Sequence, residues 1–157
     1  MTQQTELRIL TILRNIDLTR DMETKHLKKL ASIAKEVEFA EGDIVYNEGE
    51  IGTAVYIIQS GEVAIEMDIP RQGNVNILTV GPGELFGWSS LFPTERKKAR
   101  ARIVKPTRAI AIDADLLRAA WQTDHTLEYA IIQRTATIMA SRLRTTRQRL
   151  ADALADA

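Results

Sequence analysis

The sequence predicts an α+β fold, with a barrel or jelly roll of short antiparallel strands between N-terminal helices and one long C-terminal helix. Three observations predict it. Apolar spacing changes from three-and-four to two near residue 37, and back again after residue 113. Turn signals punctuate the middle at Glu41-Gly42-Asp43, Asn47-Glu48-Gly49-Glu50, Ser60-Gly61, Pro70-Arg71-Gln72-Gly73-Asn74 and Gly81-Pro82-Gly83. Many short strands with turns this close together favour a barrel or jelly roll over a parallel sheet. The 157 residues, 45% apolar and 27% charged, suffice for one domain with its own core. The expected organisation is an N-terminal helical segment over 1–36, the β-region over 37–113 and C-terminal helices over 114–157.

Each element has a local reason. Leu7, Ile9, Leu10, Ile12 and Leu13 predict a short helix, broken at Asn15-Ile16-Asp17-Leu18-Thr19. Leu27, Leu30, Ile33 and Ala34 predict a second, capped by Asp21 or Thr24, with His26 beside the apolar face as a surface residue. Val37 and Phe39, Ile44 and Tyr46, Val55 and Ile57, Val63 to Ile69, and Val75 and Ile77 alternate as strands do. Ser60-Gly61-Glu62 reads as a tight hairpin and Arg71-Gln72-Gly73-Asn74 as a longer one. Two further strands follow, Ala101–Val104 and Arg108–Asp113. Asp113 or Asp115 caps a short helix carrying Leu116, Leu117 and Trp121, with Trp121 expected in the core. Asp124 then caps a final helix over 125–151, which at 1.5 Å per residue spans about 40 Å.

That last helix carries a seam. Tyr129, Ile132, Ala136, Met139, Leu143, Thr146, Leu150 and Ala153 are separated by steps of three and four, as in a coiled coil. Leu127, Ile131 and Ile138 lie on an adjacent face and suit packing on the domain itself. One small domain does not readily cover both stripes, so a homodimer through the C-terminal helix is expected. Arg142, Arg144, Arg147 and Arg149 read as solvated flanks of the seam.

Charge is balanced in total and uneven along the chain. Residues 1–95 hold 8 Lys/Arg against 15 Asp/Glu, a balance of −7, whereas residues 96–149 hold 13 against 4, a balance of +9. Arg96, Lys97, Lys98, Arg100, Arg102, Lys105 and Arg108 are uninterrupted by any acid. Such asymmetry suits a local anion site, a basic surface that meets an acidic one, or a solvated face.

Several function classes fall away. Without cysteine there are no disulfides or thiolate metal sites, and His26 and His125 are poor material for a metal centre. No run of 18 apolar residues exists and the first residues lack a signal-peptide pattern, so a cytoplasmic protein without membrane contact is expected. No Gly-x-Ser-x-Gly or His-Glu-x-x-His is present, and Gly81, Gly83 and Gly87 do not have dinucleotide-fingerprint spacing. A non-catalytic protein is expected. The informative segment is Gly83–Arg102, glycine-rich at first and cationic at its end. Backbone N–H groups at a short helix start, hydroxyls of Ser89 and Ser90 and facing cations make an anion cradle.

Four stretches together resemble the cyclic-nucleotide-binding domain family. They are Glu41–Glu50, Val55–Val63, Leu78–Gly87 and Pro106–Asp113, and the likeness covers nearly all of residues 10–150. The resemblance implies an eight-stranded jelly roll with flanking helices and a ligand pocket inside it. It places the ligand contacts at Gly87, Trp88, Ser89, Ser90, Lys97, Lys98, Ala99 and Arg100. The chain departs from the family pattern where ligand-binding members carry a ribose-gripping glutamate, because Trp88 follows Gly87. Lys97 falls where they carry a phosphate-binding arginine, and Arg100 where they carry a small hydroxyl residue. The expected function is a regulatory sensor with no cofactor. It binds a cyclic nucleotide or another small anionic effector, with weakened or lost cyclic AMP binding. Trp88 either stacks on an aromatic ligand or occupies the sugar's space. The alternatives are a ligand-free dimerisation module packed shut by Phe86, Trp88 and Phe92, and a component of a transcription-regulatory system. Family regulators carry a helix-turn-helix after the long helix, and only seven residues follow Leu150, so direct DNA binding is not expected.

Overall fold

The computed structural model describes residues 2–156. Helix α1 (Gln3–Arg14) is capped by Thr2, whose side chain accepts from the Thr5 N–H, and buries Ile9 and Leu13. Helix α2 (Thr24–Ser32) follows. Its N-cap is Glu23, which makes no side-chain capping bond, so neither Asp21 nor Thr24 plays that part. His26, expected at the surface, is 3% exposed. The final helix covers it, and Thr126 Oγ1 lies 3.0 Å from its Nε2.

Six strands are present among the described residues: β1 (Ala34–Phe39), β2 (Ile44–Tyr46), β3 (Ala54–Ile69), β4 (Gly73–Val80), β5 (Leu85–Phe86) and β6 (Arg100–Asp113). The sheet order is β1-β6-β3-β4, with β2 paired to β6 and β5 to β3. Strands β3 and β6 form a long antiparallel ribbon from Ala54↔Asp113 to Glu66↔Arg100, with register shifts around Ser60 and Glu62. β1 and β5 flank one half of this ribbon, β2 and β4 the other.

Two sequence expectations are corrected here. Ser60-Gly61-Glu62 is no hairpin, and Ala101–Val104 and Arg108–Asp113 are one strand. Gly61, with φ 107°, bends β3 where β6 bends opposite it at Pro106-Thr107. A methyl group on Gly61 would lie 2.6 Å from the Pro106 carbonyl oxygen, so the two bends fit only because glycine is there. Eight separate strands are therefore not seen. The hairpin predicted near Arg71 is present, joining β3 to β4.

The bent sheet makes two cores. Ile58, Val63, Val80, Phe86, Ala101 and Ile103 pack inside the fold of the sheet, with Tyr46, Tyr56 and Ile65 against them. Val55, Ile57, Ile110 and Ile112 on the other face receive α1, α2, α3 (Ala114–Thr123) and α4 (His125–Ala155). Asp113 caps α3 and Asp124 caps α4, as their positions predict. Trp121 is 6% exposed and belongs to this core. Leu127 is buried and Ile131 and Ile138 pack on the domain, while Tyr129, Leu143 and Leu150 of the seam stay exposed. No helix among the described residues is long and apolar enough to cross a membrane.

Candidate functional site

A hollow of about 250 Å³ opens between the folded sheet, the segment after β5 and the middle of α4. Its floor is the alternating inward face of the strands: Tyr46, Ile65, Met67, Leu78 and Phe86. One wall is Gly87, Trp88 and Ser89 with Glu95 to Ala99, and the other is Met139, Arg142 and Thr146.

Gly87 makes the turn possible. At φ 80° it ends β5 and opens the 3₁₀ turn Trp88–Leu91. A Cβ there would press on the Tyr56 ring at 3.2 Å and the Ala54 carbonyl at 3.3 Å. The Trp88 ring meets Phe92 edge-on, centroids 6.0 Å apart. Phe92 is 37% exposed and the hollow stands beside Trp88, so the interior is not packed shut by Phe86, Trp88 and Phe92.

Lys97 is the buried cation of the site. Backbone bonds from its N–H to the Glu50 carbonyl and from the Gly49 N–H to its own carbonyl, 2.8 Å each, fix the segment against the β2–β3 turn. Its side chain, in a residue 4% exposed, donates to the Gly87 carbonyl and to Ser90 Oγ, both at 3.0 Å. The ammonium also lies 4.3 Å from the centroid of the Tyr46 ring. Gly52 leaves room for it, because a Cβ there would come within 2.5 Å of Lys97 Cε. Burial pushes the ammonium pKa down to about 8, and among the described residues no carboxylate lies within ion-pair distance. Burial likewise pushes the Tyr46 phenol far up.

The structure brings Gly87, Trp88, Ser89, Lys97, Lys98 and Ala99 together around the hollow. Ser90 stands behind it, holding Lys97 with its hydroxyl and accepting from Arg118 with its carbonyl. Arg100 is corrected out of the site. Strand alternation turns it to the outer face, where its Nε donates to Glu66 Oε1 at 2.8 Å, beside Arg102. Arg142 is corrected in the opposite sense. It is no solvated flank: it donates to the Leu85 carbonyl and lines the hollow. Arg149 also bonds to the sheet, through the Ile77 and Asn76 carbonyls. Sequence reasoning missed Arg142, whose only sequence signal was a cation between the seam residues Met139 and Thr146. Those two seam residues line the hollow as well.

Comparison with known proteins bears on the fold that carries this hollow. A profile described as cyclic nucleotide-binding domain matches residues 36–124. The CRP-like cAMP-activated global transcriptional regulator of Mycobacterium tuberculosis is 34% identical over 142 residues, 90% of this chain and 61% of that protein. The chain thus spans less than two thirds of that relative's length. A cyclic nucleotide-binding domain from Methylobacillus flagellatus superposes with a TM-score of 0.79 at 23% identity, covering 95% of this chain and 84% of the other. The sensor domain of the transcriptional regulator DNR from Pseudomonas aeruginosa gives 0.71 at 20% identity, over 90% and 95% of the two chains. At these identities the two superpositions establish a shared fold.

Proposed function

The chain belongs to the cyclic nucleotide-binding domain family, and from that premise we propose that it is a non-catalytic sensor whose effector is a small, nucleotide-like anion. In this proposal the strands β1 to β6 form the sensing unit, α3 and α4 carry the output, and α1 and α2 buttress the two. One observation carries the reading. The ammonium of Lys97, a residue 4% exposed, is held among the described residues by two neutral acceptors and an aromatic face, at the edge of an open hollow. An anion entering there supplies the charge partner that Lys97 lacks.

The second wall of the hollow is α4, so occupancy is felt by the helix that bears the exposed seam. Tyr129, Leu143 and Leu150 are 67%, 50% and 60% exposed, which supports a homodimer through that helix. Cyclic AMP is a poor effector in this proposal. Trp88 stands where ligand-binding members present the ribose-gripping carboxylate, and Lys97 replaces a guanidinium fork with a point charge. Each lost charged contact weakens binding by about 1.5–3 kcal/mol, roughly 10- to 100-fold.

Calorimetric titration with cyclic AMP, cyclic GMP and a panel of organic phosphates tests the proposal. The expected result is heat from at least one anion, abolished in Lys97→Ala. No heat from any of them overturns the sensor reading, and nanomolar cyclic AMP binding overturns the weakened-binding part. A second reading, membership of a transcription-regulatory system, is favoured by the identity to the Mycobacterium regulator over 90% of this chain. Within that reading the residues described here make no direct DNA contact. Arg100, Arg102, Lys105 and Arg108 of the cationic run are engaged by Glu66, Glu62, Glu36 and Glu38. A salt-dependent gel shift with this chain alone would contradict that.

A further inference from the structure

The hollow is reached by two cations from different elements, held in a related way. Lys97 comes from the segment before β6 and donates to the Gly87 carbonyl. Arg142 comes from α4 and donates to the Leu85 carbonyl. These carbonyls lie at the end of β5 and in the turn that follows it, and both cations line the same hollow. An anion in that hollow meets a cation from each wall.

Acidic side chains near the pair do not neutralise it. Neither cation has a carboxylate within 4.0 Å among the described residues. Glu84, the acid whose charge reaches Arg142, is exposed, and its Oε1 accepts from the Gly81 N–H at 3.2 Å. Glu95 lies at the rim and is exposed. Two partly desolvated positive charges therefore share one small hollow. A ligand with one negative charge leaves one of them without a partner, whereas a ligand with two satisfies both.

We propose that the hollow is built for a phosphate monoester, of the nucleoside 5′-monophosphate class, in preference to a cyclic phosphodiester. Arg142 is the second phosphate-binding residue, opposite Lys97. A phosphate monoester carries close to two negative charges at neutral pH and three terminal oxygens. A cyclic diester carries one charge and two free oxygens. The guanidinium fork takes two oxygens side by side, leaving the third for the ammonium. This rests on the sensor reading above and names the ligand class for the same site.

The test is calorimetric titration of the full chain at pH 7.5 with adenosine 5′-monophosphate, cyclic AMP and inorganic phosphate, on wild type, Arg142→Gln, Arg142→Lys and Lys97→Met. Sharing the adenosine, the first two probes differ at the phosphate. The monophosphate is expected to bind wild type at least about tenfold tighter than cyclic AMP, and inorganic phosphate to compete for the same site. Arg142→Gln removes that preference, bringing the ratio of the two affinities near one, and Arg142→Lys restores part of it. Lys97→Met abolishes binding of all three. Thermal unfolding of each variant checks that it folds, and should Arg142→Gln not fold, Arg142→Lys, which keeps the charge and loses the fork, is expected to show a several-fold smaller preference. Equal or tighter binding of cyclic AMP to wild type overturns the inference and leaves anion sensing standing. A monophosphate preference unchanged in the folded Arg142 variants also overturns it. Silence from all three probes overturns this inference, and the sensor reading falls with it when cyclic GMP and the wider organic-phosphate panel are silent too.

Discussion

Lys97 carries a proton in the folded state less readily than in the unfolded chain. Its ammonium pKa falls from the usual 10.5 to about 8 through burial. Between pH 8 and pH 10.5 the unfolded protein therefore holds a proton that the folded protein has released, and stability rises with pH across that window. Below pH 8 both states are protonated and the contribution is flat. Urea unfolding of wild type and Lys97→Met should thus diverge as pH rises from 8 to 10.5, wild type gaining at most about 3 kcal/mol relative to the variant. A constant difference across that range would show that the ammonium is not desolvated. The resemblance to the family pointed to Gly87 and, counted back from the last strand, to Lys97, and both lie against the hollow. Arg100 and Arg142 were misassigned for one reason. Their partners, Glu66 and the Leu85 carbonyl, are 34 and 57 residues away, and no local pattern reveals such a contact.

Elements were legible in kind, with less success at their joints. Helices α3 and α4 start at their predicted caps, because a cap and an apolar period are local signals. The β3 and β6 bends were not legible, because Gly61 in a strand and Ser-Gly in a hairpin look alike until the opposing bend at Pro106-Thr107 is known. Thr107 closes that corner, its Oγ1 accepting from the Glu62 N–H at 3.2 Å. Helix α4 divides its faces between tasks. Leu127, Ile131 and Ile138 hold it to the domain, Met139, Arg142 and Thr146 wall the hollow, and Tyr129, Leu143 and Leu150 face outward. Placing a charge in the middle of the outward stripe tests the dimer without touching the core. Leu143→Glu is expected to sediment as a monomer where wild type sediments as a dimer. Its thermal midpoint measured on the monomer should be little changed, since Leu143 is already 50% exposed. A wild type that sediments as a monomer at micromolar concentration would remove the dimer from the proposal.

Across the whole molecule, the uneven charge of the sequence is reconciled by strand pairing. The acidic first part contributes β1 and β3, the basic second part contributes β6, and β6 lies between them. Arg108 reaches Glu36 and Glu38 on β1, while Lys105, Arg100 and Arg102 reach Glu62 and Glu66 on β3. Glu66 is the centre of this arrangement, 5% exposed and bridged by both arginines. Burial alone pushes its carboxyl pKa up, but hydrogen bonds from Arg102 and Arg100 outweigh this and hold it below the ordinary value of 4.5. Its contribution is therefore present above the unfolded value and lost as pH falls through the lower folded one. Glu66→Gln is expected to destabilise by about 1–3 kcal/mol near neutral pH, because two guanidinium groups lose their acceptor charge. The gap from wild type should narrow in acid, as Glu66 itself takes up a proton. A gap of the same size at pH 7 and in strong acid would assign the loss to packing instead.

The sheet order also governs how the chain is made. β1 pairs only with β6, Ala34 meeting Ile112 and Phe39 meeting Thr107. On the ribosome, β1 emerges early and its hydrogen-bonding edge stays vacant until nearly all of the β-region has been translated. The β3–β4 hairpin, whose partners are close in sequence, can zip up meanwhile. Nascent chains stalled before residue 113 thus present an open strand to their neighbours on the same messenger. Premature self-association there, rather than loss of the finished fold, is the hazard this topology carries during synthesis.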